Sequence, residues 1–425
     1  MLRDHPRRYE LANELHARPF PSLTAPCRAA YLAVKREEDA ANRDRDADRA
    51  HLEALLDRFG GDRPAPGATH FFGQLGRYRL KWESHTEFVT YTLFADGVAE
   101  RPFDGTTFGM FPADWLDAAP GLRLTSALIR VEAETEGGRI DAKLQDWFVP
   151  ESLAASRVLD DSALIASDFR IDSAGHVRFA VFAGDGAGAR RVGRIVQRLA
   201  EIETYKTMAM LALPRARALS TEVGRMDQEL SALVGRLRAG EAEAEESLEG
   251  LLTIGAELET MLARSAFRFG AQEAYERLVN QRIAVLREER FGGRQTFSEF
   301  MMRRFDPAMR TCRSVQNRME ALAERAKRAG DLLSTRVNVD RATQNAELLR
   351  SMDGRAAAQL RLQRTVEGLS IVAISYYALG LVSALLYPLG ARAGLSKETV
   401  AAVAVIPVVL TVWFVLRRIR EALDR

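Results

Sequence analysis

The stretch Gly184-Asp-Gly186-Ala-Gly188-Ala189 has the residue types and spacing that come nearest to a binding chemistry in this chain. Its GxGxxA pattern follows a predicted strand and opens a predicted helix, where backbone N–H groups beside Arg190, Arg191 and Arg194 would meet an anion. A dinucleotide unit also needs a second parallel strand ending in an acidic residue. Glu201 and Glu203 sit instead inside a helical run, so the expectation is a flexible strand-to-helix turn with anion binding as the minor alternative.

The other chemistry-bearing residues are dispersed. His5, His16, His51, His70, His85 and His176 include no HxxxH or HExxH pair, so their spacing assigns no metal ligands. His85-Thr-Glu87 has the HxE of a zinc deaminase, but no PCxxC accompanies it and a hairpin turn is the expected setting. Arg7 to Ala17 reads as a helix, and His16 with Glu10, Glu14 and Arg18 can share a helix face there, though an N-terminal capping or docking helix accounts for them as well. GxSxG and Walker A patterns are absent, so no catalytic residue or cofactor is assigned and the chain is read as a non-enzyme.

The elements that would hold these residues fall into four regions. Residues 1–184 read as a cytoplasmic α+β domain. In it a strand at Cys27 to Val34 precedes a helix at Glu37 to Phe59, whose polar first half, Glu38 to Arg49, reads as a solvated face. Arg77 to Glu83 and Glu87 to Phe94 form a predicted antiparallel pair, Arg123 to Glu134 a further strand, and Ala163 to Ile171 with Val177 to Ala183 a second hairpin. Residues 185–304 read as a helical bundle without strands, with helices Arg190 to Leu213, Arg215 to Arg238, Ala242 to Leu262 and Phe267 to Arg290, and a capping box at Thr296-Phe-Ser-Glu299.

Residues 305–366 read as a long stalk helix opened by Asp306-Pro307. Cys312, Val315, Met319, Leu322, Ala326, Ala329 and Leu333 recur at steps of three and four, the spacing of a coiled-coil seam. Asn338 and Asn345 continue it as polar seam positions that can fix register. The seam serves either packing within the chain or a homo-oligomer through the stalk.

Residues 367–425 read as a transmembrane hairpin with a basic tail. Two uncharged apolar runs, Gly368 to Ala391 and Thr399 to Leu416, reach roughly 36 Å and roughly 27 Å as helices, against a hydrocarbon core of about 30 Å. Arg355, Arg361 and Arg364 precede the first run, and Arg417, Arg418, Arg420 and Arg425 follow the second. The connecting loop carries Arg392 and Lys397 as its only basic residues, beside Glu398, so both ends are expected in the cytoplasm. The polar N-terminus lacks a signal peptide's apolar stretch, which agrees. Tyr376, Gly380, Ser383 and Tyr387 place a small and polar stripe on one face of the first run, for helix packing or a pore lining.

With 425 residues, 28% of them charged, and a net charge of +2, the chain has room for two or three domains and lacks a basic block for nucleic acid. Cys27 and Cys312 are its only cysteines, which excludes a disulfide framework.

Four segments carry a resemblance: His5-Pro-Arg-Arg-Tyr-Glu-Leu-Ala-Asn-Glu-Leu-His-Ala-Arg-Pro-Phe20, Leu80-Lys-Trp-Glu-Ser-His-Thr-Glu-Phe88, Glu201-Ile-Glu-Thr-Tyr205 and Val366-Glu-Gly-Leu-Ser-Ile-Val-Ala-Ile-Ser-Tyr-Tyr377. Over nearly its whole length the chain resembles a bacterial family of uncharacterised membrane-anchored proteins, a domain-of-unknown-function family. The resemblance assigns no activity to any residue; the hairpin, the stalk and the lack of a catalytic constellation lead to the expectation of an inner-membrane protein whose cytoplasmic regions bind an unidentified protein partner or organise an assembly. The order of domain, stalk and two spans also resembles the CorA-type magnesium channels, which implies an oligomeric divalent-cation channel or transporter. Tyr387-Pro-Leu-Gly390 stands where that family has Gly-Met-Asn.

Overall fold

In the computed structural model the apolar run at Cys27 becomes β1 (Cys27–Lys35), the middle of a mixed sheet. Its side chains alternate between two cores. Ala29, Tyr31 and Ala33 enter one face and Ala30, Leu32 and Val34 the other, which is why the run is apolar throughout. The structure describes residues 3–14, 20–134, 137–239, 244–393 and 396–423. They divide into two compact units, Met1–Ala242 with Glu249–Ala329, and Glu243–Leu248 with Gly330–Arg425.

In the first unit α1 (Arg8–Glu14) precedes β1, and α2 (Arg45–Phe59) follows it. Then come β2 (His70–Leu75), β3 (Tyr78–Ser84), β4 (Phe88–Asp96), α3 (Ala113–Asp117), β5 (Leu122–Ala133), α4 (Gly137–Trp147), β6 (Ala154–Val158), β7 (Ala163–Ser167) and β8 (Val177–Ala183). The helical part holds α5 (Ala189–Met210), α6 (Ala212–Ala239), α7 (Ala244–Ala284) and α8 (Phe297–Arg304), with β9 (Glu289–Arg290) between the last two. α9 (Asp306–Arg392) and α10 (Lys397–Leu423) complete the chain, and α7 and α9 contribute to both units.

Among the described residues nine strands form one sheet in the order β2-β3-β4-β1-β5-β8-β7-β6-β9. Every pairing is antiparallel except β5 with β8, where Ile129 meets Phe179. One face packs on α5, α8 and the start of α9 through Ile129, Phe179, Leu199, Met208, Phe297 and Met309. The opposite face packs on α2 and α3 through Leu52, Leu55, Trp82, Tyr91 and Trp115. Each such side chain, fully buried, contributes about 1.5–3 kcal/mol.

Several expectations need correction. The helix expected from Glu37 begins at Arg45, because the Asp44 carboxylate accepts from Asp46 N (2.9 Å) and Ala47 N (3.2 Å) and caps it there. Only a 3₁₀ turn, Ala40–Asn42, precedes it. Within the presumed solvated face, Arg43 and Asp48 are buried and paired at 2.6 Å. The break between α5 and α6 falls at Leu211, three residues before Pro214, since a proline is tolerated in a first helical turn where its missing N–H has no helical acceptor. The two helices expected between Ala242 and Arg290 are one, α7, with Ala242 outside the described residues. Strand structure also does not stop at Gly184, because Glu289 pairs with Arg157 of β6. β2, β6 and α4 were not expected. The Thr296 capping box forms as read, its hydroxyl accepting from Glu299 N while Glu299 accepts from Thr296 N.

Gly193 of α5 fixes how the segment before β1 is laid down. A Cβ there would lie 1.6 Å from the Pro21 carbonyl oxygen, and two residues on Leu23 N donates to Ala189 O (2.9 Å) and Leu23 enters the core. Gly193→Ala is therefore expected to lift this segment and cost roughly 3 kcal/mol. The melting temperature of the detergent-solubilised chain reads this, and an unchanged value would contradict the contact.

Candidate functional site

The polar residues of the first unit converge where α5 and α7 meet the sheet. Glu201 on α5 accepts from Arg282 of α7 and from the Gln197 amide (2.7 Å). Thr204 bonds the Tyr31 hydroxyl of β1 and its own Ala200 carbonyl (2.9 Å). Tyr205 stacks on Tyr275 of α7 with centroids 5.8 Å apart. Tyr275 donates in turn to Glu87 Oε1 (3.1 Å), and Arg268 to Glu87 Oε2 (2.8 Å). Burial and the adjacent Glu87 carboxylate hold the Tyr275 phenol well above its usual range. The His85-Thr-Glu87 segment is the β3–β4 turn, as its spacing suggests, and it latches the sheet to α7. Beside it Lys81 donates to Gln197 Oε1 (2.6 Å) and pairs with Glu83 (3.3 Å), around a cavity of about 20 Å³, room for one or two waters.

Other candidate groups are held in structural roles. His51 bonds Tyr91 Oη (3.1 Å) and the Trp115 carbonyl (2.9 Å), and His176 bonds Ser126 Oγ (2.8 Å). Both are buried, and that burial lowers both imidazole pKa values from 6.5. The unfolded chain then binds protons that the folded chain declines, so stability is expected to fall as pH drops through 6.5 and to level off below the folded values. Melting curves between pH 8 and pH 5 measure this, and His51→Gln should remove part of the slope. Burial pushes the Cys27 thiol up to about 12, which keeps it protonated and unreactive. Among the described residues no three His, Cys, Asp or Glu side chains are placed to hold a metal ion. His16 and Arg18 of the N-terminal cluster lie outside the described residues.

Gly184 closes the turn after β8, donating to Ser162 O (3.0 Å) and accepting from Ala187 N (2.9 Å). Gly188 is the extended N-cap of α5, and Gly186 and Gly188 have open space where a Cβ would stand. Arg191 turns back to Ser162 Oγ (2.6 Å), while Arg190 is exposed. The strand–turn–helix arrangement is thus present, but α6 follows α5 and, among the described residues, no second parallel strand after the helix completes a nucleotide unit.

In α9 the seam residues Cys312, Val315, Met319, Leu322 and Ala326 are buried, with Ala329 half-buried. Their own chain covers them, as Arg313 pairs with Glu276 of α7 (2.5 Å) and Arg325 with Asp227 of α6 (2.7 Å). In the second unit Leu333 is buried, Asn338 and Asn345 are exposed, and Arg341 pairs with Glu245 (2.6 Å).

Farther along, α9 and α10 contain two helical stretches long and apolar enough to cross a membrane. Within this pair Ser375 and Ser383 of α9 are 7% and 9% exposed, as are Val400, Ala404 and Val408 of α10 at similar levels. Of the expected stripe only Ser383 is covered, for Tyr376, Gly380 and Tyr387 are exposed. Arg355, Arg361, Arg364, Arg417 and Arg418 flank the two stretches as exposed side chains, and Arg425 lies outside the described residues.

The family described as protein of unknown function (DUF3422) matches residues 3–423. The chain belongs to the DUF3422 family. No curated protein matches it. For this DUF3422 protein the match lends the CorA-type layout no support. Sequence reading missed the Glu87–Arg268 latch and the buried Arg43, both of which join residues far apart along the chain. The one signal available was a glutamate directly before a β-branched and aromatic run.

Proposed function

We propose that this chain is a non-enzymatic protein anchored in the bacterial cytoplasmic membrane by the hairpin of Gly368–Ala391 and Thr399–Leu416, with its body and C-terminal tail in the cytoplasm. The observation that carries the reading is the outward face of the hairpin. Leu381 and Ile406 are each 69% exposed, at the middle of helices whose outer surface is apolar and uncharged. Water would leave about 1.5–3 kcal/mol unrealised at each such side chain, whereas acyl chains accept them. The basic flanks support an inward orientation of both ends.

The body is read as a binding or organising module for a cytoplasmic protein. The ionised groups around Glu87, Glu201 and Lys81 are engaged with one another, an arrangement suited to rigidity rather than to proton transfer. The exposed part of α9 with Asn338, Asn345, Leu349 and Met352 is the proposed surface for a second copy. Alkaline carbonate extraction of membranes from expressing cells tests the anchor. The chain should stay in the pellet, and full release would overturn the reading. Light scattering in detergent tests the stalk, where a dimer or larger is expected and a monomer would remove that surface.

A further inference from the structure

A cavity of about 340 Å³ opens between α5 and the N-terminal ends of the parallel pair β5 and β8. Its polar side is built on Glu203, only 2% exposed. The Glu203 carboxylate accepts from Thr125 Oγ1 (3.1 Å), Thr207 Oγ1 (3.2 Å) and Lys206 Nζ (2.7 Å). Lys206 spends one of its three N–H groups there, and the other two have no acceptor among the described residues. Its ammonium sits 5.3 Å from the Phe169 ring centroid, on the cavity wall.

Arg123 supplies a second cation. Its guanidinium lies against Gly175, where a Cβ would meet Nη2 at 2.6 Å and where φ of +90° already favours glycine. No carboxylate among the described residues pairs with it. Arg123 and Lys206 against Glu203 leave the cavity one positive charge in excess. The remaining wall is apolar, from Phe169, Ile171 and Val177. Phe169 holds a φ of +53°, unusual for an aromatic residue, with its backbone N–H on Ser167 Oγ (3.0 Å) and its ring stacked 4.5 Å from Phe300. Such strain persists where the surroundings over-determine it, often at a ligand site.

We propose that this cavity binds a small organic monoanion, a carboxylate on a compact apolar body, with the head on Arg123 and Lys206 and the body against Phe169, Ile171 and Val177. The volume lies at the small end of ligand cavities. The inference goes beyond the reading of the body as a module for a protein partner, and it is independent of whether the hairpin enters a bilayer, which carbonate extraction reports separately.

Equilibrium dialysis of the full chain in nanodiscs, with 3-phenylpropionate as the probe and empty nanodiscs as the blank, tests it. Saturable binding is expected, with the neutral 3-phenylpropanol at least tenfold weaker. Arg123→Gln, at an exposed side chain, should weaken the acid at least tenfold and leave the alcohol unchanged. Ile171→Glu, which sets a negative charge on the apolar wall, should also weaken it, and both variants should melt as the parent does. Absence of saturable binding, equal binding of acid and alcohol, or undiminished binding by Arg123→Gln would each overturn the proposal.

Discussion

Replacing Leu381 and Ile406 together by arginine is expected to release the chain from carbonate-washed membranes. Both residues face outward at the middle of the two apolar helical stretches. An arginine at the centre of a membrane helix costs about 2.5–3.5 kcal/mol on insertion scales. Two of them cost about 5–7 kcal/mol, more than three powers of ten in the insertion equilibrium. Leu349→Arg, equally exposed but outside both spans, should leave the partition unchanged. If the double variant stays in the pellet as the parent does, the outward face is covered by something other than lipid.

The second large effect concerns Arg43, whose side chain is 2% exposed. Its guanidinium pairs with Asp48 (2.6 Å) and donates to the carbonyls of Thr86 (2.5 Å), His85 (2.7 Å) and Phe88 (3.1 Å), so it fastens the β3–β4 turn to the start of α2. Arg43→Ala strands a buried carboxylate and the Thr86 and His85 carbonyls, while Phe88 O keeps the His85 N–H (2.8 Å). Removing one partner of such a pair costs about 3–5 kcal/mol. Arg43→Lys keeps the charge but cannot reach several acceptors at once, so it should recover only part of the loss. Thermal unfolding of the solubilised protein measures both. A parent-like melting temperature for Arg43→Ala would show that the turn holds without its clamp.

Arg43 also marks where the sequence stops being legible. It lies in a run of Asp, Glu and Arg whose composition is that of a solvated surface, and only the β3–β4 turn arriving from forty residues away makes it interior. Strands with β-branched and aromatic alternation, such as β4, were readable because their signal is local. β6, Ala-Ala-Ser-Arg-Val, and the two-residue β9, Glu-Arg, carry no such signal and are strands through their neighbours. The long α7 was split because its apolar period lapses near Ala263 to Ala266, though no Gly or Pro breaks the backbone there.

The same reason hid the cavity beside α5. Thr125, Phe169 and Glu203 are separated by more than thirty residues each, and the parallel pairing of β5 with β8 is what gathers them. The apolar hairpin, by contrast, was written in two contiguous runs. Its helices were expected and found, and the face covered within the chain holds Ser375 with Ser383, while Tyr376 is exposed.

Labelling of single introduced cysteines shows whether the hairpin crosses the membrane twice and returns. Cys27 and Cys312 are buried, so an impermeant maleimide applied to intact cells should react mainly at the introduced site. Ala393→Cys, exposed at the end of α9 between the spans, should be labelled in intact cells, whereas Ala357→Cys, exposed before the first span, should be labelled only after lysis. Labelling of Ala357→Cys in intact cells, or protection of Ala393→Cys until lysis, would contradict the account.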